Sequence, residues 1–214
     1  MTRLLDLRHE QTEANARDAC LLAKGKPVIR KPADVIACML HQTACWYSVA
    51  SYQAKASGGD VTLARHRRAL GVNAHATAMR HGSTVIAYDA LTYVHHGHVA
   101  NAWSVGLEHE GLYDADGDPM QVPDGIDVGE IIEAGRAYLT HLAETLPALR
   151  LVWAHRQSMR APGRAKTADP GARIFREVGV EHGVKRLGLT IEPDRIFGAG
   201  KALPSTWYTE GSTP

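Results

Sequence analysis

Short apolar runs bounded by turn residues, alternating with longer segments of helical periodicity, constrain the fold of this chain more than any other feature. The clearest run, residues 35–40, is apolar at every position, as expected for a strand buried on both faces. Residues 74–79 and 83–88 are predicted to form a hairpin, and residues 103–108 and 151–154 are predicted to be further strands. The alternation of strands with helices predicts an α/β fold, with a central mixed β-sheet flanked by helices.

The predicted helices follow from the spacing of apolar residues. The most regular one begins at Asp127, which stands three residues before Glu130 in the arrangement of an N-cap and its capping partner, and it ends before Pro147. The other predicted helices cover residues 9–24, 47–70 with an interruption at Gly58-Gly59, and 172–183.

The organisation of the chain predicts one domain. Its 214 residues contain no internal repeat, low-complexity tract or long linker. We therefore expect a single domain over 1–214, with a core at about 33–185 and a C-terminal surface tail at 186–214. No segment approaches the roughly 18 uninterrupted apolar residues of a membrane span, so we expect no membrane insertion. The first residues lack the apolar stretch of a signal peptide, which predicts synthesis in the cytoplasm.

Charge and residue usage narrow the function classes. The 24 Lys and Arg against 23 Asp and Glu leave a formal charge of +1, which provides no basic field for nucleic acid. The three cysteines are an odd number without close pairs and predict no disulfide framework. The 12 histidines are the unusual feature, because imidazoles bind metals and transfer protons near neutral pH.

Two of the predicted strands each end at a histidine, His41 and His155, and Asp169 follows in a loop. Two imidazoles and a carboxylate suit a catalytic zinc, which keeps three protein ligands and leaves a fourth position for water. Each histidine could instead cap its strand by bonding to the backbone, and the spacing alone does not bring the three together. The denser histidine group at residues 95–98 is a competing location for a metal.

Four sequence blocks, in order over residues 35–171, resemble the type 2 N-acetylmuramoyl-L-alanine amidases. This zinc-dependent family includes phage lysis amidases and peptidoglycan recognition proteins. The blocks are VIACMLHQTA at 35–44, AHATAMRHGS at 74–83, His96 with Asn101 and SVGLEHEG at 104–111, and AHRQS at 154–158 leading to KTADPG at 166–171.

The resemblance implies a zinc cleft at the strand ends, with one Zn²⁺ bound by three residues: His41, His155 and Asp169. It also implies that Glu108 is the general base and that Lys166 or a nearby histidine stabilises the oxyanion. Lys166 lies three residues before the last ligand, where family members carry the lysine two residues before it.

Further residues near this cleft take their expected roles from the same resemblance. His96 corresponds to a histidine of the family's cleft, and His75 and Asn101 are expected to contact substrate or to support the ligands. Glu110 competes with Glu108 because strand alternation places both on one face, but the motif favours Glu108 and gives Glu110 a structural or rim role.

The implied function is hydrolysis of the amide bond between N-acetylmuramic acid and L-alanine in peptidoglycan. The chain is most similar to phage or prophage lysis enzymes, which reach the cell wall after release by a holin-type route. Two alternatives remain: a cytosolic amidase that recycles muropeptides, and a module that binds peptidoglycan without cutting it. The expected partner is therefore peptidoglycan or a muropeptide, and the expected state is a monomer.

Overall fold

The computed structural model describes residues 2–115, 118–161 and 168–209. Its strands are β1 (Arg3–Asp6), β2 (Leu22–Ala23), β3 (Lys26–Pro27), β4 (Ala37–Gln42), β5 (Ala76–Met79), β6 (Ser83–Ile86), β7 (Ser104–His109), β8 (Leu151–Ala154), β9 (Ser158–Met159), β10 (Thr190–Ile191) and β11 (Phe197–Gly198). Its helices are α1 (Glu13–Ala19), α2 (Ser51–Ala56), α3 (Val61–Ala69), α4 (Val128–Thr145) and α5 (Ala172–Ile174), which continues as a π-helix over Phe175–Val184.

Seven strands form the central sheet, in the order β1-β6-β5-β7-β4-β8-β10. Neighbouring strands are parallel except at the β5–β6 hairpin, so the sheet is mixed, as the sequence predicts. The predicted strands at 35–40, 103–108 and 151–154 correspond to β4, β7 and β8. The predicted hairpin is also present.

The sheet is covered on both faces, and all six residues of β4 are buried. Helix α4 packs against β5, β6 and β7, and the π-helix packs against α4 and β8. The core on this side includes Leu40, Leu107, Leu139 and Val152. On the opposite face a smaller apolar cluster includes Met39, Trp153 and Phe197. This second face carries the side chains of the candidate site.

Helix α4 begins as the sequence predicts, but its capping partner is used elsewhere. The side chain of Asp127 accepts a hydrogen bond from the Gly129 N–H at 2.8 Å, as an N-cap does. The side chain of Glu130 does not return to Asp127. It accepts instead from the N–H of His81 at 3.1 Å and so ties the helix to the turn between β5 and β6.

The first predicted helix is too long. Helix α1 covers only Glu13–Ala19, and the side chain of its N-cap, Thr12, accepts from the N–H of Asn15. Beyond it β2 and β3 pair as a small hairpin, because Lys24 and Gly25 both adopt positive φ and reverse the chain. The residues after Ala19 that are predicted to continue the helix therefore include strand β2.

Part of the predicted C-terminal surface tail, 186–214, takes part in strand pairing. Strand β10 joins the edge of the main sheet beside β8, and β11 pairs with β9. Trp207 is 1% exposed, and its Nε1–H donates to the carbonyl of Ala115 at 2.8 Å. Burial of large aromatic residues draws this segment into the fold. In the described part of the chain, no helix is both long and apolar enough to cross a bilayer.

Candidate metal centre

The carboxyl ends of three adjacent parallel strands bring the candidate residues together. In the register of the sheet His41 on β4 lies beside Glu108 on β7, and Leu40 lies beside Ala154 at the end of β8. His155 is the next residue after β8. Because parallel strands end at one edge of a sheet, these three polar side chains meet there although they are far apart in sequence.

His41, His155 and Asp169 form a compact buried group. Each offers a ligand atom that lies within 4.8 Å of the other two, and the three residues are no more than 4% exposed. The Nδ1 atom of His155 lies 2.9 Å from Oδ2 of Asp169. The other oxygen of Asp169 accepts from the backbone N–H of Gln42 at 3.0 Å, which fixes the carboxylate against the end of β4.

The donor atoms of this group fit a metal ion. The Nε2 atom of His155 is buried and has no hydrogen-bond partner within residues 2–115, 118–161 and 168–209. A buried imidazole nitrogen without a partner is costly unless it binds a ligand. Two imidazoles and one carboxylate are also the ligand types of catalytic zinc sites. The group could therefore hold a metal ion such as Zn²⁺.

His96 fixes the orientation of His41. The Nε2–H of His96 donates to the Ser104 carbonyl at 3.1 Å, so its Nδ1 atom is the acceptor. That atom lies 3.1 Å from Nε2 of His41, which assigns the Nε2–H tautomer to His41 and leaves its Nδ1 lone pair for a ligand. Burial lowers the pKa of His96 to about 3, and the nearby charge of Arg30 acts in the same direction. His96 therefore remains a neutral acceptor.

Gly106 makes room for this arrangement. A Cβ atom at Gly106 would lie 2.5 Å from the Cγ atom of the His96 ring, well inside contact distance. The imidazole thus packs directly on the backbone of β7, and a larger residue at this position would displace it.

The other two residues predicted near the cleft lie one layer further from the metal group. His75 is fully buried, its Nδ1 atom accepts from the Gly106 N–H at 2.9 Å, and its ring packs edge-on against His96. The side-chain oxygen of Asn101 accepts from the N–H of His96 at 3.1 Å. Both residues hold His96 in place, so their contacts are those of supporting groups.

The two competing carboxylates have different surroundings. Glu108 is 8% exposed, and its Oε1 atom lies 3.9 Å from Nδ1 of His41, on the side of the metal group. Glu110 is completely buried and forms an ion pair with Arg80. It also accepts from the backbone N–H groups of Tyr47 at 2.9 Å and Arg80 at 3.1 Å. Glu110 therefore links the backbone at Tyr47 to the backbone at Arg80, beside the cleft.

Arg30 is a further buried residue behind the cleft, and its sequence context predicts no role for it. Its Nη1 donates to the carbonyls of Asn101 and Ser104, both at 2.6 Å, and its Nη2 donates to that of Ala90. Burial lowers its pKa to about 10, which leaves it charged at neutral pH. It connects the segment before β4 to Asn101 and Ser104, which both form hydrogen bonds with His96. A single arginine between Ile29 and Lys31 gives no sequence signal of this role.

A cavity of about 590 Å³ adjoins the metal group and is lined by residues that include Tyr93, His95, His98 and Arg160. The ring of His98 lies 5.6 Å from that of His155, so the cavity and the metal group are neighbours. His95 and His98 thus line this cavity, whereas His96 contacts His41. Lys166 lies outside the described residues.

The fold is similar to solved structures of amidases and of PGRP proteins. PGRP-LB of Drosophila aligns with a TM-score of 0.50 and 17% identity, over 89% of this chain and 97% of that chain. The amidase LysC of Clostridium intestinale aligns with a TM-score of 0.48 and 12% identity, over 85% and 100% of the two chains. The endolysin of the Thermus scotoductus bacteriophage Ph2119 aligns with a TM-score of 0.48 and 17% identity, over 82% and 98%.

No protein-family model and no curated protein matches this chain. The similarity therefore concerns architecture, because identities this low do not carry activity from one protein to another. The chain has the mixed α/β fold of PGRP-LB, with a buried His-His-Asp group at the carboxyl ends of its central strands.

Proposed function

We propose that this protein is a zinc-dependent N-acetylmuramoyl-L-alanine amidase. The observation that carries the proposal is the buried group of His41, His155 and Asp169 with the carboxylate of Glu108 beside it. Three ligands and an adjacent carboxylate are the parts that metal-assisted hydrolysis of an amide requires. The identity of the bond that is cleaved is proposed from the resemblance of four sequence blocks to this amidase family.

In this proposal His41, His155 and Asp169 hold one Zn²⁺, which supplies Lewis-acid chemistry for attack on a carbonyl. Glu108 accepts a proton from the attacking water and delivers it to the departing nitrogen of L-alanine. His96 keeps the His41 ring in one orientation by accepting its Nε2–H. Lys166 is proposed to stabilise the oxyanion, on the basis of its sequence position alone.

The reaction breaks the bond between the lactyl carbonyl of muramic acid and the nitrogen of L-alanine. The carbonyl carbon gains the oxygen of water and becomes a carboxylate, and the alanine nitrogen leaves as an amine. The cavity beside His98 adjoins the metal group and is large enough to accept part of the substrate.

Two other functions are alternatives to a lytic amidase. A module that binds peptidoglycan without cutting it is supported by the similarity to PGRP-LB, because related structures are named peptidoglycan recognition proteins. The presence of Glu108 next to a full set of ligands favours catalysis over binding alone. A cytosolic amidase that recycles muropeptides would use the same chemistry on soluble fragments. We propose the cell-wall polymer as the substrate, reached after synthesis in the cytoplasm and release.

Digestion of purified sacculi tests the proposed function. Amidase activity should release peptides with new amino-terminal alanine and should create no new reducing sugar ends. A glycosidase would create reducing ends, and an endopeptidase would expose amines on residues other than the first alanine. Mass spectrometry of the products separates these outcomes, and lactyl-alanine linkages that stay intact after prolonged digestion would refute the proposal. Parallel digestion of soluble muropeptides distinguishes a recycling enzyme from a lytic one.

A further inference from the structure

A second cavity, of about 510 Å³, opens at the opposite ends of the central strands from the metal group. It lies beside the residues that precede β4, β7 and β8, including Trp103 and Arg150. Ile36, Trp103 and Arg150 each lie five residue steps before His41, Glu108 and His155, respectively, which is about 17 Å at about 3.3 Å per strand residue. We call this cavity the aromatic pocket. Its other walls include Trp153, Glu192 and Arg195.

A rigid aromatic stack forms one wall of the aromatic pocket. The indole of Trp103 lies nearly parallel to the ring of Phe197, with 6.1 Å between the ring centroids and 28° between the planes. Phe197 in turn meets Trp153 edge-on at 4.7 Å. Trp103 is nevertheless 40% exposed. A large indole that is held in place and open to solvent offers a flat apolar surface for a ligand of matching shape.

The charged groups of the aromatic pocket favour an anion. Arg150 and Arg195 are exposed, and within the described ranges neither guanidinium forms an ion pair with a carboxylate. Arg195 lies over the ring of Phe197 at 5.1 Å, which holds it beside the aromatic stack. Glu192 is engaged by the indole N–H of Trp153 at 3.1 Å. Two guanidinium groups and one carboxylate leave a net charge of +1.

A flat apolar surface next to guanidinium groups matches a sugar ring that carries a carboxylate. Pyranose rings present an apolar face that packs on indoles, and guanidinium groups bind carboxylates through paired hydrogen bonds. The reaction proposed above creates such a sugar, because cleavage converts the lactyl amide of muramic acid into a free lactyl carboxylate. The uncut glycan carries an amide there and has no charge at that position.

We infer that the aromatic pocket binds the peptide-free glycan strand that the reaction leaves behind. A sugar ring packs on Trp103, and lactyl carboxylates pair with Arg150 and Arg195. This inference rests on the proposed function for its ligand. Because Trp103 and Arg150 lie about 17 Å before Glu108 and His155 along their strands, a ligand bound to them is a different part of the glycan strand from the one being cut. An enzyme retained by its product would act on successive peptides of one strand.

Calorimetric binding tests this inference with two probes: purified peptide-free glycan strands, and N-acetylglucosamine oligomers of similar length that lack the lactyl carboxylate. The unaltered protein should bind the glycan strands more tightly, and added salt should reduce that preference. Trp103→Ala should weaken the binding of both probes by about tenfold. The double variant Arg150→Gln/Arg195→Gln should abolish the preference for the charged strand. Tyr52→Ala removes an aromatic side chain that is 71% exposed elsewhere and serves as the control.

Unchanged affinity for glycan strands in both the tryptophan and the arginine variants would overturn the inference, as would no binding by the unaltered protein. Both arginines are exposed, so the double variant remains informative even where Trp103→Ala unfolds. Cleavage of the lactyl-alanine linkages in purified sacculi is measured separately. A protein that binds glycan strands through the aromatic pocket but cleaves no amide would refute the proposed function and leave the pocket assignment supported.

Discussion

The same substitution at two neighbouring carboxylates should separate folding stability from catalysis. Glu108 lies in β7 and Glu110 is the first residue after it, and glutamine has nearly the shape of glutamate. Glu110→Gln removes the negative charge that faces the buried Arg80, whereas Glu108→Gln leaves the Arg80–Glu110 ion pair intact. The two variants are therefore matched in chemistry and differ in what each carboxylate contacts.

The expected loss of stability for Glu110→Gln follows from its contacts. Removing one partner of a buried ion pair costs about 3–5 kcal/mol, because the remaining charge is left without compensation. The remaining amide oxygen can still accept from Tyr47 N–H or Arg80 Nε–H, both now 2.9 Å from Oε1 of Glu110, so we expect the lower end, about 3 kcal/mol. In urea this corresponds to a midpoint lowered by about 1–2 M.

For Glu108→Gln we expect the opposite pattern. The amide cannot accept a proton at neutral pH, so turnover should fall by about 100-fold to 10,000-fold while zinc content is retained. Three properties are measured on both variants: unfolding in urea as monitored by circular dichroism, amidase turnover, and metal content. An inactive but fully stable Glu110→Gln, together with an active Glu108→Gln, would refute the assignment of the two carboxylates.

Three further outcomes are expected. His41→Ala should reduce zinc content well below one per chain, measured by elemental analysis, while His9→Ala at an exposed position should not; equal zinc in both would contradict the ligand set. Gly106→Ala should displace the His96 ring and cost about 1–3 kcal/mol with reduced turnover, and unchanged turnover would show that the ring position is unimportant. Burial lowers the pKa of His96 to about 3 and that of His109 to about 4, so the unfolded chain takes up protons below about pH 6.5 that the folded protein refuses. The free energy of unfolding of the metal-free protein should therefore be highest above that pH and should fall toward pH 4, by up to about 1.4 kcal/mol per pH unit for each histidine. A free energy of unfolding that does not change over this pH range would contradict the prediction.

The position of His41 at the end of a buried strand could be predicted, because the local sequence of β4 is sufficient to identify that strand. A fully apolar run bounded by polar residues indicates a buried strand, and such a strand places the next residue, His41, at the edge of the sheet. The meeting of His41 with Asp169 could not be worked out in this way. It depends on backbone contacts such as that between Gln42 and Asp169, which bridge distant segments, and only the family resemblance indicated it.

Other parts of the structure leave no pattern in the sequence. Arg30 is one of many basic residues in a polar segment, and only the folded chain shows its hydrogen bonds to Asn101 and Ser104. The first helix is overestimated because the apolar residues after Ala19 fit a helix as well as a strand. Trp207 belongs to a segment rich in turn residues, whose burial depends on contacts with distant parts of the chain.

The parallel order of β7, β4 and β8 also determines when the metal site can exist during folding. These three neighbours come from distant parts of the chain. Long loops must therefore close, at a cost in chain entropy, before the strands gain the free energy of pairing. Domains dominated by such contacts fold in milliseconds to seconds. The metal ligands therefore assemble late, and a metal ion that binds only the folded chain should slow unfolding while leaving the folding rate nearly unchanged.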